Sequence, residues 1–527
     1  MYSDEFSAVV ASTHAGFARI TRARRGALSR PQSSSAVMAL IFALSLAGCS
    51  VGPDYFPEAA PTPTKYKEIK GWKLATPRDW VDRGDWWSFY RDPKLAFLLK
   101  QVEISNQTVA AAAASYEQAR ALIREAQAAL FPTVTASYTY TRTRTGPKAA
   151  GFGASGAGGG PGFNGGAIYT TTFVPQFSGT WDIDVWGKVR RQIESNTSAA
   201  QTSAADLDNA KLSAQGALAT AYFNLRAADS LHDLLVRYTE EYKKTLKIVR
   251  DQFNAGFSVT EGDVATAEAQ VFTTEAQAIN VGVQRAQFEH SIAMLIGRPP
   301  AELSIARHLL GGNIPRIPVS VPSTLLERRP DIAAAERTMQ EQNALIGVAV
   351  AGYFPDISLT GVLQWIGRNP LPFNVAHEVW SLGAAGAQVL FNGGLVSAQV
   401  DSARAAYWQS VANYRQTVLT AFQQVEDELI AVRLLKQQLI LQEKAVKDQR
   451  RAVDVFINQF RAGTAAYTTV VTAEILLLTD EENLLTTRQN LFLASVTLIQ
   501  ALGGGWDTNL LPTQKELVKD FSLLPQL

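Results

Sequence analysis

Apolar residues recur at every seventh position along a stretch in the second half of the chain. A strict seven-residue period over this length requires a left-handed coiled coil, because it departs from the 3.6-residue turn of a straight helix. The pattern therefore predicts one long helix over residues 394–462. The seam consists of Val411, Val418, Val425, Val432, Leu439, Val446, Val453 and Phe460.

A second helical pattern follows over residues 467–502, and it carries two apolar seams side by side. The seams start at Val470 and Val471, and each repeats every seven residues. Neighbouring residues lie about 100° apart around a helix, so two adjacent seams are typical of a helix with a packed neighbour on each side. A ring of helices meets that requirement, whereas an isolated two-stranded coil does not. One helix covered by the core of a globular bundle is the alternative.

Strict alternation replaces the helical period at two places, residues 133–141 and 357–365. In the first, Thr or Ser occupies every odd position. Its even positions are Val134, Ala136, Tyr138 and Tyr140. A period of two predicts a β-strand with one polar, water-facing side and one apolar side. Return strands are expected within 167–185 and 379–391, which makes four strands per chain.

Each strand pattern begins directly after a Phe-Pro pair. The pairs are Phe131-Pro132 and Phe354-Pro355. Proline cannot continue helical hydrogen bonding, and it pushes the residue before it toward extended geometry. We therefore expect each pair to be a joint at which a helix ends and a strand begins.

The two joints belong to an internal duplication of the chain. Residues 106–132 align with 329–355 at an offset of 223, and later segments align at 207 and then 206. The first change of offset falls in the Gly-rich stretch 146–167 and marks a loop. The chain thus divides into a first repeat (95–297), a Pro-rich connector (298–325), a second repeat (326–503) and a tail (504–527). Strand hairpins are expected at 132–185 and 355–392, and helical hairpins with tips near 256–263 and 463–469.

The lengths of the predicted helices match one another. At about 1.5 Å per residue, helix 187–255 is about 100 Å long. Helices 260–297 and 326–353 cover about 57 and 42 Å, so these two, stacked end to end, match the long one. The second half repeats the pattern with helices 394–462, 467–502 and 95–130. The connector, the tail and residues 49–94 are then expected to form a girdle of mixed structure.

A short apolar run, residues 36–47, follows an arginine-rich segment near the start of the chain. A membrane helix needs about 20 residues, so this run is too short to be one. With LAGC at 46–49 it resembles a bacterial lipoprotein signal. The resemblance implies removal of residues 1–48 and acylation of Cys49, and Ser50 fits delivery to the outer membrane. An ordinary secretory signal with an incidental cysteine is the alternative.

Composition narrows the class of protein. The chain is 46% hydrophobic with a formal charge of +1, which predicts a folded core and disfavours nucleic-acid binding. Cys49 is the only cysteine, so neither a disulfide framework nor a Cys-rich metal site is expected.

Beyond Cys49 no apolar run has the length of a membrane helix. A chain that crosses a membrane must then do so as a closed β-barrel, and since small barrels need about eight strands, several copies must pool theirs.

Taken together, these features resemble those of the TolC-like outer-membrane efflux proteins, in the lipoprotein branch of NodT and OprM. The resemblance covers the chain from Leu46 to about Gly505. It rests on LAGCSVGPDY (46–55), WWSFYRDPKL (86–95), LLERRPDIAAAE (325–336), NALIGVAVAGYFP (343–355), the FNAG and FRAG turns, and the duplication itself. The resemblance implies a mainly α fold with a β-barrel part. Three copies pool twelve strands into one barrel, and their coiled-coil helices form a periplasmic α-barrel.

The same resemblance implies a function and partners. It implies a homotrimeric exit duct that passively conducts drugs or other small toxic compounds out of the cell. The partners are a periplasmic membrane-fusion adaptor and a proton-driven inner-membrane pump of the resistance-nodulation-division (RND) class. The protein is expected in the outer membrane, lipid-anchored and extending into the periplasm, with no cofactor besides the lipid on Cys49.

Candidate site residues follow from matching the family pattern to this sequence. The resemblance implies that the hairpin tips contact the adaptor and bound the closed aperture; they are Gly256, Phe257, Ser258, Gly463, Thr464 and Ala465. Acidic residues common in family apertures are replaced by Thr469 and Thr472. Phe460 and Ala465 replace a tyrosine and an arginine of the family latch, and Asp263 matches its acidic partner. We therefore expect an aperture without a carboxylate ring at those two positions, held weakly by apolar packing.

No pattern points to catalysis. The five histidines show no metal-ligand spacing, and the glycine run lies between strands, which favours an extracellular loop over a phosphate cradle. An enzyme is therefore not expected, nor a metal site. A duct for type I protein secretion or metal export stays open as an alternative, although the lipoprotein signal and LLERRPDIAAAE favour drug efflux. A structural or adhesive outer-membrane lipoprotein is the other class, but it does not need matched helix lengths.

Overall fold

The computed structural model describes residues 50–68, 85–146, 168–257, 259–312 and 325–519. Cys49 and Ser258 therefore lie outside the described residues, as do the predicted leader and nearly all of the Gly-rich loop.

Two long and several shorter helices alternate with four strands. The helices are α1 (Pro93–Ser105), α2 (Gln107–Ala128), α3 (Lys188–Asn254), α4 (Glu261–Leu295), α5 (Leu325–Arg328), α6 (Pro330–Ala351), α7 (Leu395–Arg461), α8 (Tyr467–Ala501) and α9 (Gln514–Val518). The strands are β1 (Thr133–Thr145), β2 (Ile168–Asp182), β3 (Asp356–Trp365) and β4 (Glu378–Ala387). Short 3-10 turns lie at Trp86–Tyr90, Pro300–Glu302, Val375–His377 and Thr508–Leu510.

The long helices α3 and α7 have 67 residues each, which corresponds to about 100 Å. The seven-residue seam predicted for α7 is confirmed, because all its members are buried except Leu439, which is half-buried. On α8 both predicted seams face neighbours, and only Leu484 and Leu485 are half-buried. The four helices of the two hairpins pack in the order α4, α3, α8, α7. Helix α8 thus has a packed neighbour on either side, as its two seams require.

The end-to-end stacking of the shorter helices differs from the predicted pairing. Helix α4 ends against the start of α2, where Ser105 Oγ donates to the Ile296 carbonyl at 2.6 Å and Asn106 Nδ2 donates to the Leu295 carbonyl at 2.7 Å. Helix α8 ends against α6, where Arg329 Nη1 donates to the Ala501 carbonyl at 3.0 Å.

The prediction that 260–297 continues into 326–353 was therefore wrong. Each return helix instead continues into the short helix of its own repeat. The physical reason is that the last carbonyls of a helix need donors, and equivalent residues of the two repeats, Asn106 and Arg329, supply them.

The strands form one antiparallel sheet in the order β1-β2-β3-β4. Thr133 pairs with Thr180, Thr180 with Thr360, and Thr360 with Gly383. The last strand is shorter than the predicted stretch 379–391, because regular pairing stops at Ala387. The two hairpins of the duplication thus join through β2 and β3, and β1 and β4 are the two edges.

The main core lies where α1, α3 and α8 meet. Trp86, Trp87 and three leucines of α1 are buried there, and Trp86 Nε1 donates to Gln215 Oε1 of α3 at 3.0 Å. Phe223 of α3 stacks on Phe492 of α8 with ring centroids 4.9 Å apart. This contact joins a helix of the first repeat to a helix of the second.

Within the described residues, no helix combines the length and the apolar character needed to cross a membrane.

Candidate functional site

The sheet separates polar from apolar side chains across β1, β2 and β3, whereas β4 adds mostly small or apolar residues and Ser381 to the polar face. Antiparallel partners lie on the same face, so the register defines two surfaces. One face is mostly polar and carries Thr133, Thr135, Ser137, Thr139, Thr141, Gln176, Ser178, Thr180, Ser358, Thr360, Gln364 and Ser381. The other carries Tyr138, Tyr140, Phe173, Phe177, Trp181, Leu359, Leu363, Trp365, Trp380 and Leu382.

Both faces are open in the single chain. On the polar face, the hydroxyls of Thr135 and Ser178 lie 2.7 Å apart across β1 and β2. On the apolar face, Trp380 is 66% and Leu382 82% exposed. Such a division suits a sheet with water on one side and hydrocarbon on the other.

The two Phe-Pro pairs lie where helices give way to strands. Phe131 and Pro132 stand between the end of α2 and the start of β1, and Phe354 and Pro355 between α6 and β3. Helix α2 ends at Ala128 and helix α6 at Ala351, so each Phe-Pro pair follows a short non-helical turn.

Two tryptophans that the sequence analysis missed hold these joints together. Trp181 Nε1 donates to the Leu130 carbonyl at 2.9 Å, and Trp186 Nε1 donates to the Pro355 carbonyl at 2.8 Å. Trp186 also stacks on Phe354, with ring centroids 4.8 Å apart. Both carbonyls lie between a helix and a strand, outside the regular backbone pairing of either, and these indoles supply donors to them. Trp181 lies in the predicted return strand 167–185 and Trp186 directly follows it, and this was the available signal.

The first hairpin tip lies between α3 and α4. Gly256 has a φ of +77°, in the left-handed region that ends helices, and Phe257 is 64% exposed. Asp263, the predicted latch acid, caps helix α4: its Oδ2 accepts from Thr260 N and from Thr260 Oγ1, both at 2.8 Å. The Thr-x-x-Asp spacing was a readable signal for this capping box.

The second tip lies between α7 and α8. Gly463 has a φ of +71°; Thr464 is exposed and Ala465 half-exposed. Thr464 Oγ1 donates to the Gln459 carbonyl at 3.0 Å. The two tips are linked by Gln252 Nε2, which donates to the Phe460 carbonyl at 3.3 Å.

The predicted aperture residues of the second repeat fall on different sides of the hairpin. Phe460 is buried, and its ring centroid lies 5.7 Å from that of Tyr467. Thr469 and Thr472 are exposed on α8, and Thr472 Oγ1 donates to the Thr468 carbonyl of the preceding turn. The structure thus brings Phe460 together with Tyr467 and not with the two threonines.

A buried acid near this tip, Glu474, was missed. Its side chain lies between α8 and α3, is 5% exposed, and accepts from Thr245 Oγ1 at 2.8 Å. Its Oε2 is buried with no hydrogen-bond partner among the described residues. Burial raises the pKa of Glu474 to about 7, Thr245 lowers it and Glu241 raises it further. Glu474 lies one helical turn after Val470 and Val471, on the face that the two apolar seams cover, and this position was the signal.

The start of the described chain lies against the joint between β2 and α3. The Val51 amide donates to the Trp186 carbonyl at 3.0 Å. Arg191 of α3 is buried and pairs with Asp54 at 2.8 Å, and its Nε donates to the Val51 carbonyl at 3.2 Å. Ser50 is therefore held at the level where strands meet helices.

Both edges of the helical layer expose apolar side chains. Phe272, Ile279 and Val283 on α4 are between 55% and 71% exposed. Leu434 and Leu441 on α7 are 52% and 65% exposed. Among the described residues, no group of three or more His, Cys, Asp or Glu side chains is arranged to hold a metal ion.

A two-faced sheet joined to duplicated coiled-coil hairpins defines an outer-membrane channel of the TolC-like type. The family described as "Outer membrane efflux protein" matches residues 98–298 and 321–504. The chain belongs to that family.

Sequences of known proteins match this chain over nearly its full length. The chain is 26% identical over 483 residues to the toluene efflux pump outer membrane protein TtgC of Pseudomonas putida, covering 88% of this chain and 94% of that protein. It is 28% identical over 456 residues to nodulation protein T of Rhizobium leguminosarum bv. trifolii, covering 85% and 91%. The solved structure of the outer-membrane channel OprN is 27% identical, with a TM-score of 0.77 over 87% of this chain and 100% of that chain.

These matches confirm the predicted family branch, the TolC-like fold and the assignment to an outer-membrane efflux channel. They do not bear on the individual tip and aperture residues, which stay predictions.

Proposed function

We propose that three copies of this chain form the exit duct of a tripartite efflux pump. The polar sheet face lines a water-filled passage, and the aromatic face meets lipid. The single observation that carries the proposal is the register: Thr, Ser and Gln side chains align on one face of β1, β2 and β3, with Ser381 on β4, while aromatic and aliphatic side chains align on the other face. A catalytic protein has no need of this arrangement, so the proposed role is conduction.

The edges of the chain support a ring of three. Strand β1 and strand β4 are the ends of the sheet, and unpaired edges invite a further strand. Pairing β1 of one copy with β4 of the next closes twelve strands in a head-to-tail contact. The exposed apolar faces of α4 and α7 then cover each other in the same contact.

The anchor is proposed on Cys49. Ser50 follows it directly and is held at the joint where helices give way to strands. A lipid on Cys49 thus starts at the level of the proposed membrane boundary, which supports acylation at that residue.

The partners proposed are an adaptor with helical hairpins and an RND-type inner-membrane pump. The tips supply the adaptor surface, because Gly256 and Phe257 in the first and Gly463 and Thr464 in the second are exposed at the ends of long helices. Phe257 is the largest apolar side chain at either tip and is the expected anchor of that contact.

The cargo proposed is a small toxic organic compound. The relative TtgC is named for toluene efflux, and a duct that only conducts leaves the choice of cargo to the pump. Sensitivity to metal salts alone in the test below would instead point to metal export.

A deletion strain tests the function directly. Loss of the gene should sensitise cells to some members of a panel of solvents, dyes, antibiotics and metal salts, and the wild-type gene should restore resistance. The purified protein should also form water-filled pores in planar bilayers. The proposal would be refuted if the purified wild-type protein formed no pores and the deletion strain kept the sensitivity of the parent strain.

A further inference from the structure

Two arginines lie on the apolar face of the sheet. Residues of β1 alternate between faces, so Arg142 and Arg144 share the side of Tyr138 and Tyr140. The register confirms this placement: Tyr140 pairs with Phe173, and Arg144 pairs with Tyr169. Two charged side chains on an otherwise apolar face indicate a polar or charged binding partner at this position.

The ring of Tyr169 gathers both guanidinium groups. The Cζ atoms of Arg142 and Arg144 lie 5.6 and 5.9 Å from its centroid. Both arginines are exposed, and Tyr169 is 59% exposed. Neither guanidinium has a carboxylate partner among the described residues, and the loop sequence 146–167 contains no Asp or Glu. Two positive charges are thus held together and open to an outside group.

Their height along β1 is also defined. The strand starts at Thr133, next to the helices, and its apolar residues run from Val134 to Tyr140, about 20 Å at 3.3 Å per residue. Arg142 and Arg144 follow at the far end, beyond the tyrosines. If the sheet spans the outer membrane as proposed above, this is the outer boundary of the hydrocarbon, on the lipid side.

We propose that Arg142 and Arg144, oriented by Tyr169, bind a phosphate group of the glycolipid headgroups in the outer leaflet. Guanidinium groups match phosphate oxygens with paired hydrogen bonds. Two guanidiniums on one ring suit a dianionic group better than a single carboxylate. This inference rests on the proposed membrane-spanning role of the sheet.

The competing occupant is Glu378 of a neighbouring copy. Glu378 begins β4 and pairs with Trp365, so it lies on the same face. In a closed ring β4 adjoins β1, but one carboxylate leaves one of the two arginines unpaired. The phosphate of a lipid is therefore the favoured occupant.

Native mass spectrometry of the full-length, detergent-solubilised protein tests the proposal. The probes are bis-phosphorylated lipid A, the same lipid without phosphates, and inorganic phosphate. The wild type should retain the phosphorylated lipid about tenfold better than the dephosphorylated one. Arg142→Gln with Arg144→Gln should abolish that preference. The matched control, Lys444→Gln with Lys447→Gln, removes two exposed cations from α7 and should keep it.

Tyr169 provides a separate check of the geometry. Tyr169→Phe keeps the ring and should keep lipid selectivity, whereas Tyr169→Leu should reduce it. Equal selectivity in all three proteins would overturn the role of the ring.

Three results would overturn the site itself. Selectivity that persists without Arg142 and Arg144 would do so. So would full displacement of lipid by millimolar inorganic phosphate, which would make the ligand a free anion. The third is a wild type without lipid selectivity, combined with loss of the trimer in both the Glu378→Gln protein and the arginine variant, which would assign the arginines to Glu378 of the neighbouring copy.

Conductance in planar bilayers separates this proposal from the proposed function. The arginine variant should conduct like the wild type. A wild type without pores would refute the duct, whereas pores without lipid selectivity would refute only the phosphate site.

Discussion

One buried carboxyl group, that of Glu474, distinguishes the two copies of the repeat. Its equivalent in the first repeat is Glu268, which pairs with Arg250 at 2.6 Å on a partly exposed surface. Glu474 has a single hydrogen bond, from Thr245, and burial raises its pKa to about 7. A carboxyl group with a raised pKa favours folding while protonated and opposes it while ionised.

Glu474→Gln should stabilise the protein at pH 8 and leave it nearly unchanged at pH 5. The stability that the protonated group contributes is complete below its ordinary pKa of 4.5 and is lost as the pH rises through about 7. By pH 8 the loss approaches about 3 kcal/mol per chain. Thermal unfolding at both pH values measures it. The control Glu268→Gln removes the equivalent carboxylate of the first repeat, which lies on a partly exposed surface. An effect of Glu474→Gln that does not depend on pH would contradict the prediction.

Two glycines that both have left-handed backbone conformations should differ in how much stability is lost when each is replaced by alanine. Gly256 at the first tip has a φ of +77° and open space around it, whereas a Cβ on Gly503, with a φ of +91°, would lie 1.7 Å from the Arg328 carbonyl oxygen. Gly256→Ala should therefore cost only the left-handed strain, about 1–2 kcal/mol. Gly503→Ala should cost more, because backbone must also move. Melting temperatures of the two variants compare them; equal losses would rule out the close contact.

In each repeat, the residue just before the short helix donates a hydrogen bond to the end of the return helix. In the first repeat Asn106 has two roles: its Oδ1 accepts from the Val109 amide at 3.0 Å, and its Nδ2 donates to the Leu295 carbonyl at 2.7 Å. In the second, Arg329 donates to Ala501 and to Gln424. Each return helix is thereby continued by the short helix of its own repeat.

Asn106→Asp should destabilise the junction although aspartate caps helices as well as asparagine does. The variant keeps the capping oxygen, but it loses the donor to Leu295 and places a negative charge at the C-terminus of α4. The expected cost is about 1–3 kcal/mol. Hydrogen exchange of the last turn of α4 should accelerate.

Asn374→Asp is the matched control for that substitution. Asn374 also accepts a backbone hydrogen bond, from the Ala376 amide at 3.2 Å, but it caps only an exposed short turn. It should leave stability unchanged. Equal effects of the two substitutions would show that the donor of Asn106 contributes nothing.

The assembly of copies depends on the two outer helices. Ile279 on α4 and Leu441 on α7 are 71% and 65% exposed. Each lies about 27–30 Å from the tip of its hairpin at 1.5 Å per residue, so they are at matching levels in a ring. Apolar side chains at both edges of one layer are typical of surfaces that meet in an oligomer.

Ile279→Asp and Leu441→Asp should each weaken the proposed trimer while the single chain stays folded. A buried charge at the contact opposes association, but both side chains are exposed in the isolated chain. Light scattering or native mass spectrometry of the detergent-solubilised protein reports the number of copies, and circular dichroism reports helicity. The exposed Lys447→Asp is the control. Trimers that persist in both edge variants would place the contact elsewhere.

The sequence by itself determined the elements and their repetition. The seven-residue seam, the alternation after each Phe-Pro pair and the duplication are periodic signals carried by neighbouring residues, so they could be read without coordinates. Helices α3, α4, α7 and α8 begin and end within two residues of the predicted bounds. The capping box of Asp263 was equally local.

Only the tertiary structure decided which elements meet. The stacking of α4 on α2 depends on hydrogen bonds between residues 191 and 189 positions apart, and chain order favoured the wrong neighbour. The indole of Trp186 and the burial of Glu474 likewise depend on partners from distant segments. Periodicity shows that a face is covered, but the partner that covers it is chosen by hydrogen-bond and packing requirements that are met only in the folded chain.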